Sequence, residues 1–211
     1  MQIDTVEHPA FNAPNEGVMR TMAFDWLLRD VVPQGLTMLD LGAGPCVFAS
    51  HAVVAGYHVT AVDGRTERLP ADLDERIKFV QADVRSVTVD GYDVVALLGL
   101  LYHLALPEQI DLLRNIGEGT LILDTQIHVP EAVTEAAGEW AQHVVTTDDG
   151  YEGVLFPEGD NPMASIGNPE SFWHTEPSLL RLLKGAGFRT CRVIDPLYVS
   201  KYGARKFYVL G

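Results

Sequence analysis

The stretch Leu36-Thr37-Met38-Leu39-Asp40-Leu41-Gly42-Ala43-Gly44-Pro45-Cys46 decides how the rest is read. A short apolar run ends in an acid, two glycines and a proline follow, and a helix-like pattern begins. That order predicts a buried strand entering a tight turn at a helix N-terminus. Gly42 and Gly44 carry no Cβ, so the backbone can turn sharply and a ligand can come close. Asp40 falls at the carboxyl end of the strand, where open α/β sheets bind ligands. An acid there suits ribose hydroxyls or a cationic group better than a pyrophosphate, which wants neutral N–H donors.

Outward from the turn, Val47 to Gly56 read as a helix closed by Gly56. Tyr57 to Gly64 then form a second strand ending in Asp63-Gly64. Asp63 lies one βαβ unit beyond the turn, where Rossmann-type sites place the carboxylate that accepts from ribose. A short helical region is expected over Arg65–Leu73. A third strand is expected over Ile77–Arg85, with Asp83 and Val84 at its end. The continuous apolar run of Tyr92–Gly99 suits a strand covered on both faces. It leads into Leu100-Leu101-Tyr102-His103. Pro107–Ile116 read as a helix and Thr120–His128 as a fifth strand, on which Asp124, Gln126 and His128 share one face.

Upstream, residues 1–16 read as an irregular arm, and Gly17–Val32 as a helix whose Arg20 would stand near a carboxylate if the helix is a lid. Downstream, residues 129–174 exceed what the minimal fold needs. A helix carrying Val133, Ala137, Trp140 and His143 is expected there, followed by loops at 146–153 and 157–162. A long irregular insertion of this kind is usually functional. Tyr151, Glu152, Asn168, Trp173 and His174 are residue types found on sugar-binding surfaces: rings cover a pyranose face while carboxylates and amides take its hydroxyls. A helix starting at Thr175-Glu176-Pro177 and strands over 189–196 and 205–210 close the chain.

The turn Asp40-Leu41-Gly42-Ala43-Gly44-Pro45-Cys46 resembles the first motif of the class I S-adenosylmethionine-dependent methyltransferases, with Cys46 where a third glycine usually stands. The resemblance extends along nearly the whole chain. It implies a Rossmann-like α/β domain, a seven-stranded, mostly parallel sheet with helices on both faces. It implies S-adenosylmethionine as cofactor, held by Asp40, Gly42, Ala43, Gly44, Asp63, Gly64, Asp83, Val84 and Leu98. In that family the acid at Asp83 meets the adenine amino group, and the loop after Leu98-Gly99 lies beside the reactive methyl. Leu101-Tyr102-His103, Phe172 to Leu180 and Gly187-Phe188 are similar to a subgroup of bacterial sugar and natural-product O-methyltransferases and tRNA-directed enzymes. Kinship with the mycobacterial methylmannose polysaccharide methyltransferases would imply a mannoside hydroxyl as acceptor and a divalent cation.

A hydroxyl is a poor nucleophile at neutral pH, so a base is expected. His143 ranks first because it falls in the insertion, then His128 and His103. Tyr102, Gln126, Tyr151, Glu152 and Trp173 are the expected acceptor contacts. Asp124 and His128 would hold magnesium if a metal takes part. The expected partner is therefore a small acceptor, a sugar in the first instance. A tRNA- or natural-product-directed enzyme, or a non-catalytic cofactor-binding scaffold, is the alternative.

The chain of 211 residues has the length of one domain. With 1–35 forming an arm and lid helix and 129–174 an insertion, that domain is expected to span 1–211. A net charge of −14 disfavours nucleic acid as partner. No apolar run approaches the roughly 20 residues that span a bilayer. Two cysteines outside any Cys-x-x-Cys pair fit reduced thiols in a cytoplasmic protein. The cations that crowd the C-terminal end, among them Arg181, Lys201, Arg205 and Lys206, are expected on solvated helix and strand edges. The oligomeric state is open, with a homodimer as one form.

Overall fold

The computed structural model describes residues 1–117, 119–159 and 166–211. Strands β2 (Thr37–Leu41), β3 (His58–Asp63), β4 (Ile77–Gln81) and β5 (Val94–Leu98) run parallel. β6 (Thr120–Ile127) continues the parallel set beside β5. β11 (Ala204–Leu210) pairs antiparallel to β6, and β10 (Thr190–Val199) antiparallel to β11. The eight-stranded order is β1-β10-β11-β6-β5-β2-β3-β4. Strand order reverses between β2 and β5, and the crevice at that switch point is where such sheets bind ligands.

The sheet has one strand more than expected. β1 (Gln2–Glu7) lies parallel to β10 at the edge, where an irregular arm was anticipated. Its side chains are almost all exposed and include Asp4 and Glu7, so it lacks the apolar alternation that marks a strand from sequence. Polar composition of this kind is usual on an edge strand, where charge discourages further pairing.

Apolar side chains cover both faces. Leu39, Leu41, Leu97, Leu121 and Leu123 pack on one side with α3 (Leu106–Ile116) and α4 (Glu176–Gly185). Met38, Val94, Ala96 and Ile122 pack on the other with α1 (Glu16–Trp26) and α2 (Val47–Val54). α1 begins where Asn15 accepts from the Val18 N–H, and runs on into a π-helical turn at Leu27–Val31. Gly56 follows α2 at φ 101°, as its expected role as a stop requires. Thr175 precedes α4, but its side chain makes no cap hydrogen bond.

Two predicted helices do not form. Arg65–Leu73 holds only two short turns in irregular chain. The expected helix around Val133–Val144 is replaced by three 3-10 turns (Pro130–Ala132, Glu135–Ala137, Glu139–Gln142). Gly138 at φ 78° breaks the run, and the apolar residues bury against separate neighbours instead of along one stripe. β7 (Val144–Thr146) and β8 (Glu152–Pro157) overlap the ends of the expected loops at 146–153 and 157–162, and form a three-stranded antiparallel sheet with β9 (Glu170–His174). Residues 160–162 of the expected second loop lie outside the described residues. Among the described residues, no helix is long and apolar enough to cross a membrane.

Candidate functional site

A cavity of about 540 Å³ opens at the carboxyl ends of β2 and β5. One wall comes from the βα turns. Gly42 (φ 76°) and Gly44 (φ 53°) turn the chain out of β2, and a Cβ on Gly42 would stand 2.8 Å from the Leu100 side chain. Cys46 occupies the left-handed region at φ 57°, so the position of the missing third glycine keeps the glycine conformation. That costs an L-residue about 1–2 kcal/mol. Asp63 ties the wall together, accepting from the Gly44 N–H at 2.8 Å and the Arg65 N–H at 2.9 Å.

Asp40 lies behind this turn, only 2% exposed and not on the cavity surface. Its Oδ2 has no hydrogen-bond partner among the described residues. Burial first, then the charge of Asp63, pushes its pKa up to about 7. A buried, unsatisfied carboxylate oxygen behind a glycine cradle is the combination that a cationic ligand group would relieve. Ala43, Gly44, Gly64, Val84 and Leu98 all line the cavity, as does Asp83. The Asp83 carboxylate is engaged by Arg85, which also reaches Glu108. That pairing holds the Asp83 pKa below the usual carboxylate value.

The opposite wall gathers residues distant in sequence. Tyr102 and His103 follow β5, Gln126 comes from β6, Phe156 from β8, Trp173 from β9, and Ser200, Lys201 and Tyr202 from the turn between β10 and β11. Trp173 stacks on Phe156 with centroids 4.8 Å apart and meets Tyr102 edge-on at 5.4 Å. The indole Nε1–H of Trp173 is buried and has no partner among the described residues.

His103 Nδ1 lies 2.8 Å from Oε1 of Glu158, which is 3% exposed and also accepts from Ser171 at 2.7 Å. A ring that donates Nδ1–H to a carboxylate has its basic lone pair on Nε2 and a fixed orientation. This is the base-plus-orienter arrangement of general base catalysis. Glu158 was not foreseen, because it reaches His103 across 55 residues of chain.

Between the walls lies a buried charge cluster. Arg20 donates from Nε to Asp124 Oδ2 at 2.7 Å, and Arg205 donates from Nε to Oδ1 at 2.8 Å and from Nη2 to Oδ2 at 3.1 Å. Tyr198 adds a hydroxyl bond at 3.2 Å. Burial works against the Asp124 charge, but Arg20 and Arg205 outweigh it and hold its pKa below the ordinary value. Both guanidiniums press on the chain at Gly99 (φ 86°), where a Cβ would stand 2.7 Å from Arg20 and 2.9 Å from Arg205.

Several expected site residues lie elsewhere. His143 is exposed at the end of a 3-10 turn and does not border the cavity. His128 is buried beside Trp140 and Val133, also off the main cavity, with a pKa lowered by burial. The proposed metal pair therefore does not assemble: Asp124 is saturated by two guanidiniums and a phenol, and His128 is not among its partners. Among the described residues, no group of three or more His, Cys, Asp or Glu is placed to hold a metal. Tyr151 and Glu152 sit at the far end of the small sheet against α4, where Arg181 covers the Tyr151 ring and Ser178 accepts from the Glu152 N–H. Arg205 and Lys206 are 3% and 5% exposed, so the end of the basic tail enters the core, contrary to expectation.

No family model matches the chain, and no curated sequence matches it. Solved structures do. The N-terminal domain of EvdMO1 with SAH bound superposes with a TM-score of 0.67 at 22% identity, over 91% of this chain and 79% of that one. The same domain in the presence of SAH and D-fucose gives 0.68 at 21%, over 95% and 84%. The Burkholderia thailandensis 1,6-didemethyltoxoflavin-N1-methyltransferase, with bound 1,6-didemethyltoxoflavin and S-adenosylhomocysteine, gives 0.58 at 19%, over 90% and 76%. The fold is thus the Rossmann-like α/β fold of S-adenosylmethionine-dependent methyltransferases.

Proposed function

We propose that the protein is an S-adenosylmethionine-dependent O-methyltransferase acting on a hydroxyl of a small polar acceptor of the sugar type. The observation that carries this reading is the pairing of His103 with buried Glu158 on one wall of the cavity, facing the glycine turn and Asp63 on the other. Bound S-adenosylmethionine supplies an electrophilic methyl on a positively charged sulfur, which leaves as a neutral thioether.

The chain's own residues do the rest. Asp63 accepts from the ribose hydroxyls, and the Asp83–Val84 corner takes the adenine. Gly42, Ala43 and Gly44 let the amino-acid end approach the backbone, with the Asp40 carboxylate behind them. Leu98 borders the same pocket. The Tyr102, Phe156, Trp173 and Tyr202 rings cover the acceptor and exclude water, as aromatic walls do at pyranose faces. Gln126 meets a hydroxyl, and His103 Nε2 removes the proton of the attacking oxygen as Glu158 stabilises the charged ring. Holding that oxygen in line with the methyl supplies much of the acceleration. Helix α1 walls the cavity through Glu16, Gly17, Arg20 and Thr21 and acts as the lid, and the insertion supplies recognition through Phe156 and Trp173.

Calorimetry with S-adenosylhomocysteine, followed by transfer of labelled methyl into a panel of sugars and phenols, tests the reading. Binding together with a base-stable methyl ether supports it. Binding without transfer to any acceptor favours a scaffold, and absence of binding removes the proposal.

A further inference from the structure

The acceptor side of the cavity has a charge that a neutral sugar does not call for. Sites for neutral sugars use carboxylates to accept from hydroxyls, and Glu152 was expected in that role. The fold places Glu152 outside the cavity. What stands there are the Arg205 guanidinium and the Lys201 ammonium, beside Gln126, Tyr102 and Tyr202, with the Glu16 carboxylate at the rim.

Arg205 is 3% exposed, and a buried cation needs an anion. Its close bonds from Nε and Nη2 go to Asp124, which it shares with Arg20. Two guanidiniums thus divide one buried carboxylate. Among the described residues, Arg205 Nη1 donates to the Tyr102 hydroxyl at 3.1 Å, to the Gln126 amide oxygen at 3.3 Å in the amide orientation its hydrogen bonds favour, and at 3.4 Å to Glu16, whose side chain is 35% exposed at the rim. Lys201 lies over the Tyr202 ring at 4.9 Å with no carboxylate against it among the described residues. In a chain of net charge −14, two cations on this wall run against the average charge of the molecule.

Building on the proposed methyl transfer, we infer that the acceptor is an anion: a small hydroxylated carboxylic acid, in the sugar series a sugar acid. Its carboxylate is held by Arg205 Nη1 and Lys201, and its hydroxyl is presented to His103. An anchored carboxylate fixes the orientation of a small acceptor that a neutral sugar leaves to weaker hydroxyl contacts.

The test is calorimetric titration of glucuronate against glucose, and of 4-hydroxybenzoate against 4-hydroxybenzamide, on the free protein and on protein saturated with S-adenosylhomocysteine. The expected result is at least tenfold tighter binding of each acid than of its neutral partner on the loaded protein. Lys201→Gln, on the exposed side of the cavity, should reduce that preference severalfold and leave S-adenosylhomocysteine affinity unchanged. Arg205→Lys should abolish the preference, with circular dichroism confirming that the variant folds. Equal binding of acids and neutral partners, or no heat from any acid, overturns the inference and leaves the methyltransferase reading intact. Acids that bind the free protein but not the loaded one also overturn it, because the anion site then belongs to the cofactor's own carboxylate. If S-adenosylhomocysteine itself gives no heat, the methyltransferase reading fails, and the free-protein titrations still decide whether the anion site exists.

Discussion

The two walls of the cavity are built in opposite ways. The glycine-turn wall comes from successive βα units, so Gly42, Gly44, Asp63 and Asp83 are brought together by the local geometry of strands that lie side by side. The facing wall joins Tyr102, Gln126, Trp173 and Arg205, which no local pattern connects. A site built from strand ends is tied to the stability of the sheet. A site built from crossing segments depends on the side-chain bonds that pin those segments, and substitutions should separate the two.

The largest effect is expected where the walls meet. Asp124→Ala leaves Arg20 and Arg205 without their shared buried anion, a change that costs about 3–5 kcal/mol. Urea unfolding reads this directly, and a loss under 1 kcal/mol would mean that the cluster does not hold the walls together.

Next is His103→Ala, expected to lower turnover by about 10²–10⁴-fold while S-adenosylhomocysteine affinity stays within about twofold. Glu158→Gln should lower turnover less than His103→Ala does, since it keeps an acceptor beside Nδ1 but removes the carboxylate that orients the ring. His143→Ala, off the cavity, should change neither quantity. Loss of turnover in His143→Ala with an intact fold would reverse the assignment.

Asp40 sharpens the comparison through pH. Its folded-state pKa, about 7, lies above the 3.8 of an ordinary aspartate, so the folded state keeps a proton that the unfolded chain has lost. Its contribution is therefore most favourable below about pH 4, declines as pH rises to 7, and is level above that. Between pH 5 and pH 8 the decline covers about two pH units, about 3 kcal/mol as an upper figure. Asp40→Asn should gain stability relative to the parent at pH 8 compared with pH 5; parallel pH dependence of the two proteins would show that Asp40 is not the strained group. The smallest effect expected is for Asp63→Ala. It removes the acceptor for the Gly44 and Arg65 N–H groups, and S-adenosylhomocysteine affinity should fall about tenfold to a hundredfold with acid-probe binding unchanged.

The reach of the sequence follows the same division. Leu36 to Cys46 were enough to place β2, its turn and α2, because burial on both faces and left-handed backbone leave apolar runs and glycines that can be read one residue at a time. Asp63 followed from spacing. The edge strand β1 was hidden because its partner supplies the pairing and its side chains bury little. The insertion was misread for a related reason: Val133, Ala137 and Trp140 fall at helical intervals, yet a glycine and three antiparallel strands dispose of them differently. His103 ranked last among the histidines because its orienting partner, Glu158, lies 55 residues away.

By itself the sequence determined the parallel sheet, the glycine turn and the carboxylates at the strand ends, since each depends on neighbours a few residues off. Only the tertiary structure decided which histidine borders the cavity, that Asp124 faces two arginines, and that the last cations turn inward. Those outcomes depend on the pairing of charges and rings from remote segments, and a buried charge is stable only where the fold brings its counter-charge.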